Sequence, residues 1–287
     1  AVKQKQMNEN AIYKGKAFTR QQKNITSNAL RNYLYGDSNY LDIENLSGLG
    51  VLPDFTGQGH AVLIQIVKWV GKKEDWDNYL LEQSLHNILN EIFLPNDQKV
   101  ALSCIEENVF LLVIQSTSDE EITQDSLSRQ FMFLSSVCRQ FFRCQIACYL
   151  SELKPLSDLS EVWRQLKERK ENNVSLKQGV FPESGKEEKK EYVFRLVSVK
   201  QWESLYEEGY PQAVEEQAFQ LLDDLADRGI LDKKTLLYFY QDYMQLMYTV
   251  FGKQGVNVCE LFQTAEELEL YRNGMKSVDA MKRLLSF

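Results

Sequence analysis

The chain has few histidines, no excess of positive charge and no long apolar run. Among its 287 residues there are 2 histidines, and the formal net charge is −8. A negatively charged chain lacks the cationic field that attracts nucleic acid or anionic lipid, so we expect any DNA-contacting part of the protein to lie outside this chain. No apolar stretch approaches the roughly 18 residues that a membrane-spanning helix needs. This predicts no membrane contact and a cytoplasmic location.

Potential catalytic and metal-binding side chains are also scarce. The five cysteines are an odd number and most lie in apolar patterns, which is typical of buried, reduced thiols. Cys138, Cys144 and Cys148 are spaced too irregularly for a zinc site. His60 begins a predicted strand and His86 flanks the apolar face of a predicted helix, and neither accompanies a serine or cysteine nucleophile elbow. We therefore expect no catalytic residue, no metal and no cofactor.

The first 40 residues are mostly polar and predict a linking helix. Residues 3–35 contain no proline, and Ala11, Phe18 and Ile25 recur every seven residues, although the companion heptad positions are polar. This pattern predicts a long N-terminal helix over 1–40 that either self-associates into a homodimer or packs on its own domain. The chain has no signal-peptide core, does not begin with methionine and ends inside a helical pattern. We therefore expect it to be a piece of a longer protein.

The middle of the chain predicts a sheet domain. Its apolar patterns alternate between the periods of strands and helices in the order strand, helix, hairpin, helix, strand. These elements cover 60–70, 79–93, 99–115, 123–143 and 145–153. The order predicts the fold class α+β, with a ferredoxin/cyclase-like β-α-β-β-α-β sheet domain over 41–181. A further helix capped by Ser157 and Asp158, and an edge strand within 174–181, complete the predicted domain.

A C-terminal helical domain follows a short charged linker. Residues 182–191 are rich in charge and poor in apolar side chains, which is typical of a linker. Pro211 and Gly229 mark the start and end of one predicted helix, and Asp232 opens the next. Thr264 begins a capping box, which predicts another helix start.

Tyrosine and methionine side chains share one face of the helix that Asp232 opens, within the predicted helical domain 192–287. They are Tyr240, Tyr243, Met244 and Met247. An aromatic stripe at helical spacing is typical of a core. Because tyrosine hydroxyls need partners, the same stripe also favours an interdomain surface, and it could line a ligand groove.

Several segments in this order resemble one family of regulators. They are LRNYLYGD, HAVLIQIVKW, SLHNILNEIF, FLLVIQ, LLDDLADRGI, YQDYMQLMYTVF and SVDAMKRLL. Together they resemble the central region of YesN-type two-component response regulators of the AraC family, over nearly the whole chain. In that family a phosphoacceptor receiver precedes this region and two helix-turn-helix motifs follow it. The resemblance implies that both lie outside this chain.

The sheet domain itself is similar to a degenerate diguanylate-cyclase (GGDEF) domain. In active relatives, acidic residues at the end of the first strand and in the hairpin hold Mg²⁺, and a Gly-Gly turn admits the GTP phosphates. The matching positions here are Gln65, Val67, Glu106, Glu107, Asn108 and Val109. Glutamates in place of glycine would block and repel the nucleotide, and valine cannot ligate Mg²⁺. The resemblance therefore implies a domain that is not an enzyme.

These expectations combine into one functional hypothesis with alternatives. The resemblance implies a non-enzymatic signal-relay module that couples a receiver to DNA binding, through a homodimer formed by the N-terminal helix. Its partners would be an upstream histidine kinase, through the missing receiver, and DNA, through the missing C-terminal domain. The alternatives are a small-molecule sensor, the cytoplasmic part of a membrane-anchored AraC-type regulator, and a true cyclase or phosphodiesterase.

Overall fold

The computed structural model describes most of the chain. The described residues are 27–28, 30–35, 57–72, 76, 78–96, 98–116, 122–183, 199–257 and 261–287. The predicted heptad positions of the linking helix, most of the linker 182–191, and Cys259 lie outside them. The chain divides into two compact units. The sheet unit contains 1–170 and 178–185, and the helical unit contains 171–177 and 186–287.

The sheet unit contains the predicted alternation of strands and helices. Its helices are α1 (30–35), α2 (Asn78–Phe93), α3 (Gln124–Val137), which continues into a π-helical turn (Cys138–Phe142), and α4 (Leu159–Asn172). Its strands are β1 (Gln58–Trp69), β2 (Gln98–Glu106), β3 (Val109–Ser116), β4 (Cys144–Leu150), β5 (Lys154–Pro155) and β6 (Gly179–Phe181).

All of the predicted strand segments belong to one sheet. The strand order is β2-β3-β1-β4-β6, and β5 pairs with the start of β1. Strand β6 runs parallel to β4, and the other pairs are antiparallel. The α+β class predicted from the sequence is confirmed.

Both faces of the sheet are covered, which explains the nearly continuous apolar run of β1. Val62, Ile64 and Ile66 point to a core that contains the apolar faces of α2 and α3. Ala61 and Leu63 point to a second core, formed with α1 and α4. A strand that is buried on both faces needs apolar residues at consecutive positions, and β1 has them.

Local signals in the sequence set several of the helix ends. The Thr123 side chain accepts a hydrogen bond from the Ser126 N–H and caps α3. At the other end the π-helical turn stops at Arg143, whose φ of 51° is left-handed. The predicted cap at Ser157 and Asp158 is instead part of a short 3₁₀ turn that leads into α4.

The helical unit consists of five helices in the described part of the chain. They are α5 (Val199–Glu207), α6 (Pro211–Asp227), α7 (Lys233–Lys253), α8 (Ala265–Asn273) and α9 (Val278–Leu285). The predicted signals at Pro211, Asp232 and Thr264 are confirmed as helix starts. Helix α5, which buries Trp202, was not predicted from the sequence. Among the described helices, none is long and apolar enough to cross a bilayer.

Three details differ from the prediction. Strand β4 ends at Leu150 rather than at residue 153, and the edge strand is only Gly179–Phe181. Before that strand the chain turns, because the Asn173 side chain binds both the N–H and the carbonyl of Lys177. Val174, in the same stretch, is buried in the core of the helical unit, so 171–177 groups with that unit and not with the sheet.

Candidate functional site

The hairpin tip lies beside the end of β1, so the site positions predicted from the sequence lie close together. Val109 pairs with Gln65 across the β1–β3 ladder. Asn108 has a φ of 62°, a left-handed conformation that asparagine adopts more readily than most residues. Its carbonyl accepts a hydrogen bond from the Ile66 N–H at 2.9 Å, and its side-chain oxygen accepts one from the Trp69 indole at 3.2 Å. The turn is therefore tied to β1 through Asn108.

Three of the four positions with neutral side chains contribute packing. Val109 is buried, and Val67 is partly buried against the core that faces α1 and α4. Gln65 also pairs with Ala147 on β4, and its side-chain oxygen is buried without a hydrogen-bond partner among the described residues. An amide oxygen is a weaker ligand for Mg²⁺ than a carboxylate, and valine offers none.

Glu106 has a different role from its neighbours, because its carboxylate contacts two other elements. The Tyr35 hydroxyl, at the end of α1, donates a hydrogen bond to it. The Lys170 ammonium, on α4, lies 3.1 Å from its second oxygen. We call Tyr35, Glu106 and Lys170 the clasp. It joins α1, the hairpin and α4.

Aromatic and charged side chains surround the clasp. The Lys167 ammonium lies over the Tyr35 ring, 4.5 Å from its centroid. The Tyr35 and Trp163 rings meet edge to face at 6.3 Å. Leu30 and Leu34 of α1 are buried in the same core, which fixes the helix end on the sheet unit. The clasp is thus the polar edge of a packed contact.

The electrostatics keep the clasp in one protonation state. Burial opposes ionisation of Glu106, but the hydrogen bond from Tyr35 and the charge of Lys170 outweigh it and hold the pKa of Glu106 below its usual value. Burial and the Glu106 carboxylate raise the pKa of the Tyr35 hydroxyl, which stays a donor. At neutral pH the pair is therefore a phenol donating to a carboxylate.

This arrangement does not fit the metal chemistry of active cyclases. Mg²⁺ needs several hard oxygen ligands in an octahedron. Glu106 is engaged with Tyr35 and Lys170, and Glu107 is an exposed turn residue. Nowhere in the described ranges do three or more His, Cys, Asp or Glu side chains form a group that could hold a metal ion.

The two histidines make contacts that stabilise local structure. His60 is buried, and its ring nitrogens lie 3.1 Å and 3.2 Å from the carbonyl oxygens of Ser151 and Ile122. His86 lies 3.0 Å from the side-chain nitrogen of Asn90, one turn further along α2. Both contacts tie local structure together.

The described cysteines are also core groups. Cys138, Cys144 and Cys148 are buried, and Cys104 is partly buried. Burial raises the pKa of Cys104 to about 11 and raises the pKa of Cys148 as well. The thiolate is the nucleophilic form of cysteine, so burial holds Cys104 and Cys148 in the less reactive thiol form at neutral pH.

The tyrosine and methionine face of α7 lies in the core of the helical unit. Tyr240, Tyr243 and Met244 are buried there, and Met247 packs against the same cluster. The Tyr240 hydroxyl donates to the Tyr271 carbonyl at 3.0 Å, and the Tyr243 hydroxyl lies 3.4 Å from that of Tyr206. Both hydroxyls have hydrogen-bond partners inside the unit. The stripe is therefore part of the core of the helical unit.

Comparisons with known proteins do not identify a family, so the functional argument rests on the residues and their geometry. A scan against protein-family models finds no match for this chain, and searches of curated proteins and of solved structures find no significant match either.

The sequence pointed to Glu106 but not to its partners. Tyr35 and Glu106 are 71 residues apart, and Glu106 and Lys170 are 64 apart. Lys170 belongs to a helix face of mixed charge, which is ordinarily solvated. The only local signal in the sequence was that Tyr35 follows two leucines four residues apart, Leu30 and Leu34. This spacing is typical of a helix that packs one apolar face on the rest of its domain.

Proposed function

We propose that this chain is a non-enzymatic regulatory module of a bacterial AraC-type transcriptional response regulator. It acts in the cytoplasm and passes the state of an upstream receiver, set by a histidine kinase, to a downstream DNA-binding domain. The clasp is the observation that carries the proposal. Glu106, at a position that resembles the nucleotide-binding turn of cyclases, contacts the end of the linking helix and α4 instead. A hairpin engaged in this way supports a mechanical role.

The relay follows the order of the elements. In the proposal, phosphorylation of the receiver changes the geometry of a homodimer formed by the N-terminal helix. That change moves Tyr35, and the clasp carries the movement to Lys170 on α4. Lys170 is the last residue of the sheet unit before Glu171, where the chain enters the helical unit. A shift of one packed helix is a common way to couple two parts of a regulator.

The relay is tested by breaking the clasp in the full chain. Tyr35→Phe keeps the ring but removes the donor, and Lys170→Met removes the charge. We expect faster amide hydrogen exchange in α1 and α4 and altered exchange in the helical unit. The matched control is Arg164→Met, which breaks an exposed pair with Glu161 on the same helix. Exchange that changes only next to the substituted residue would contradict the relay.

The absence of catalysis is tested separately. The purified chain is incubated with GTP and Mg²⁺, and the products are separated by chromatography. We expect no cyclic dinucleotide, because Gln65, Val67 and Val109 supply no carboxylate for the metal that neutralises charge in phosphoryl transfer. Formation of a cyclic dinucleotide above a no-enzyme control would revive the cyclase alternative.

A further inference from the structure

Helices α2 and α3 lie side by side on the face of the sheet opposite α1 and α4. They run antiparallel. Trp76, just before α2, packs edge to face on Phe142 at the end of the π-helical turn, with ring centroids 4.8 Å apart. Phe93, at the end of α2, contacts Phe131 within α3 at 5.8 Å. On the solvent side the two helices form the walls of an open groove of about 950 Å³.

The groove carries exposed aromatic side chains. Phe133 is 59% exposed and Phe141 is 66% exposed, and both line the α3 wall. Ile88 and Ile92 line the α2 wall and are only partly buried. Large aromatic residues left open next to apolar neighbours are typical of a protein interface.

Two opposite charges lie at one end of the groove. Glu91 lines the α2 wall, two residues before Phe93, and Arg129 lines the α3 wall, two residues before Phe131. Since Phe93 contacts Phe131 and the helices run antiparallel, Glu91 and Arg129 lie on opposite sides of that level, each about 3 Å from it along the helix axis. Among the residues that the structure describes, neither charge forms an ion pair.

A surface that offers one acid and one base close together along the helix axis can be complementary to itself. A two-fold axis parallel to the helices places α2 of one copy on α3 of the other and keeps every residue at its level. Arg129 of each copy then lies opposite Glu91 of the other with an offset of about 6 Å along the axis, within reach of these long side chains. Most soluble homo-oligomers have closed symmetry of this kind, in which the same patch serves both subunits.

The same operation buries the exposed aromatic side chains. Phe133 of each copy meets the Ile88–Ile92 ridge of the other. Phe141 meets the level of Ser84, the smallest side chain lining the groove. The result is a four-helix layer with an apolar centre and an ion pair on each side, the arrangement of an interface core and rim.

We infer that the α2–α3 face is a homodimer interface, occupied by a second copy of this chain. The interface lies on the opposite face of the sheet from the clasp and is distinct from the proposed association of the N-terminal helices. It would hold two sheet units together directly.

The experiment is sedimentation equilibrium of the full chain over a concentration series. Arg129→Glu and Glu91→Arg each place like charges opposite one another twice per dimer, and each should weaken association about tenfold. The double variant Arg129→Glu/Glu91→Arg restores both pairs and should bring association back towards that of the wild type. The control is Arg139→Glu, the same charge change on the π-helical turn outside the groove, which should leave association unchanged.

A second pair of variants tests the aromatic contacts. Phe133→Ser should weaken association, whereas Tyr210→Ser, which removes an aromatic ring that is 58% exposed in the helical unit, should not. Circular dichroism at matched concentration confirms that each variant folds.

Three results would overturn the inference. The wild type could be monomeric at every concentration, which would also remove the dimer step of the proposed relay. The wild type could be a dimer that neither Arg129→Glu nor Phe133→Ser affects, which would place the association elsewhere and leave the proposed function intact. Finally, the double charge variant could stay as weak as the single ones, which would exclude the pairing of Arg129 with Glu91.

Discussion

At the residue scale, Glu106 shows how one half-buried carboxylate can connect three elements of a fold. Its charge is balanced by Lys170, whose side chain is only 15% exposed. A half-buried carboxylate stays ionised only with such partners. The glutamate is therefore an anchor for Tyr35.

The lowered pKa of Glu106 makes the clasp dependent on pH. The folded state binds fewer protons than the unfolded state, so the stabilisation is complete above the unfolded pKa of about 4.3 and is lost as the pH falls through the lower folded pKa. Glu106→Gln removes the titration, and we expect a flatter acid limb in urea unfolding between pH 7 and about pH 3. Glu107→Gln, one residue along, is the matched control. Identical profiles for Glu106→Gln and wild type would contradict the assignment.

The turn residue Asn108 allows the backbone and the side chain to be separated. Asn108→Ala and Asn108→Gly both remove the hydrogen bond from Trp69. Only the alanine variant is also destabilised by the left-handed φ of 62°, because this conformation costs about 1–2 kcal/mol for a residue with a Cβ and little for glycine. We expect the alanine variant to be the less stable of the two in urea unfolding. Equal stabilities would mean that the turn relaxes out of the left-handed conformation.

At the element scale, helices with the same kind of cap differ in how they are held. The Thr264 capping box starts α8, which has no buried residue. The Ser277 side chain accepts a hydrogen bond from the Ala280 N–H and starts α9, which buries Val278, Met281 and Leu284 among others. Helix α8 contacts the core only through partly buried side chains such as Leu270 and Tyr271 and so depends more on its cap, whereas α9 is held by its buried face.

Removing either cap therefore has different consequences. Thr264→Ala and Ser277→Ala should each cost about 1 kcal/mol at the cap. We expect the first to appear as faster hydrogen exchange confined to α8 with little change in the melting temperature. The second should lower the melting temperature of the helical unit, because α9 is part of its core. A fall in melting temperature for Thr264→Ala as large as that for Ser277→Ala would contradict this difference.

At the scale of the whole molecule, the chain has separate cores. The sheet has one core on each face, and the helical unit has its own cluster around Trp202, Leu222 and Phe239. Of the four tryptophans, Trp202 alone lies in the helical unit. Units with independent cores can unfold as separate cooperative steps.

A cavity in one core should therefore destabilise one unit. Leu222 is fully buried, so Leu222→Ala should cost about 2–5 kcal/mol and lower the stability of the helical unit. Leu111→Ala, in the sheet unit, is the counterpart and should instead lower the stability of the sheet unit. Hydrogen exchange with mass spectrometry reports both units at once. Equal loss of protection in both units for either variant would show that they unfold as one.

The sequence by itself determined the elements of this protein, and the tertiary structure decided how distant residues meet. The strands, most helices and the caps at Thr123, Asp232 and Thr264 were predictable, because periodicity and capping depend on residues within a few positions of one another. The unpredicted α5 and the shortened edge strand show where local signals are weak. The clasp and the α2–α3 face were not predictable, since they depend on which side chains meet after the sheet closes. Tyr35, Glu106 and Lys170 come together only because α1 and α4 pack on the same face of one sheet.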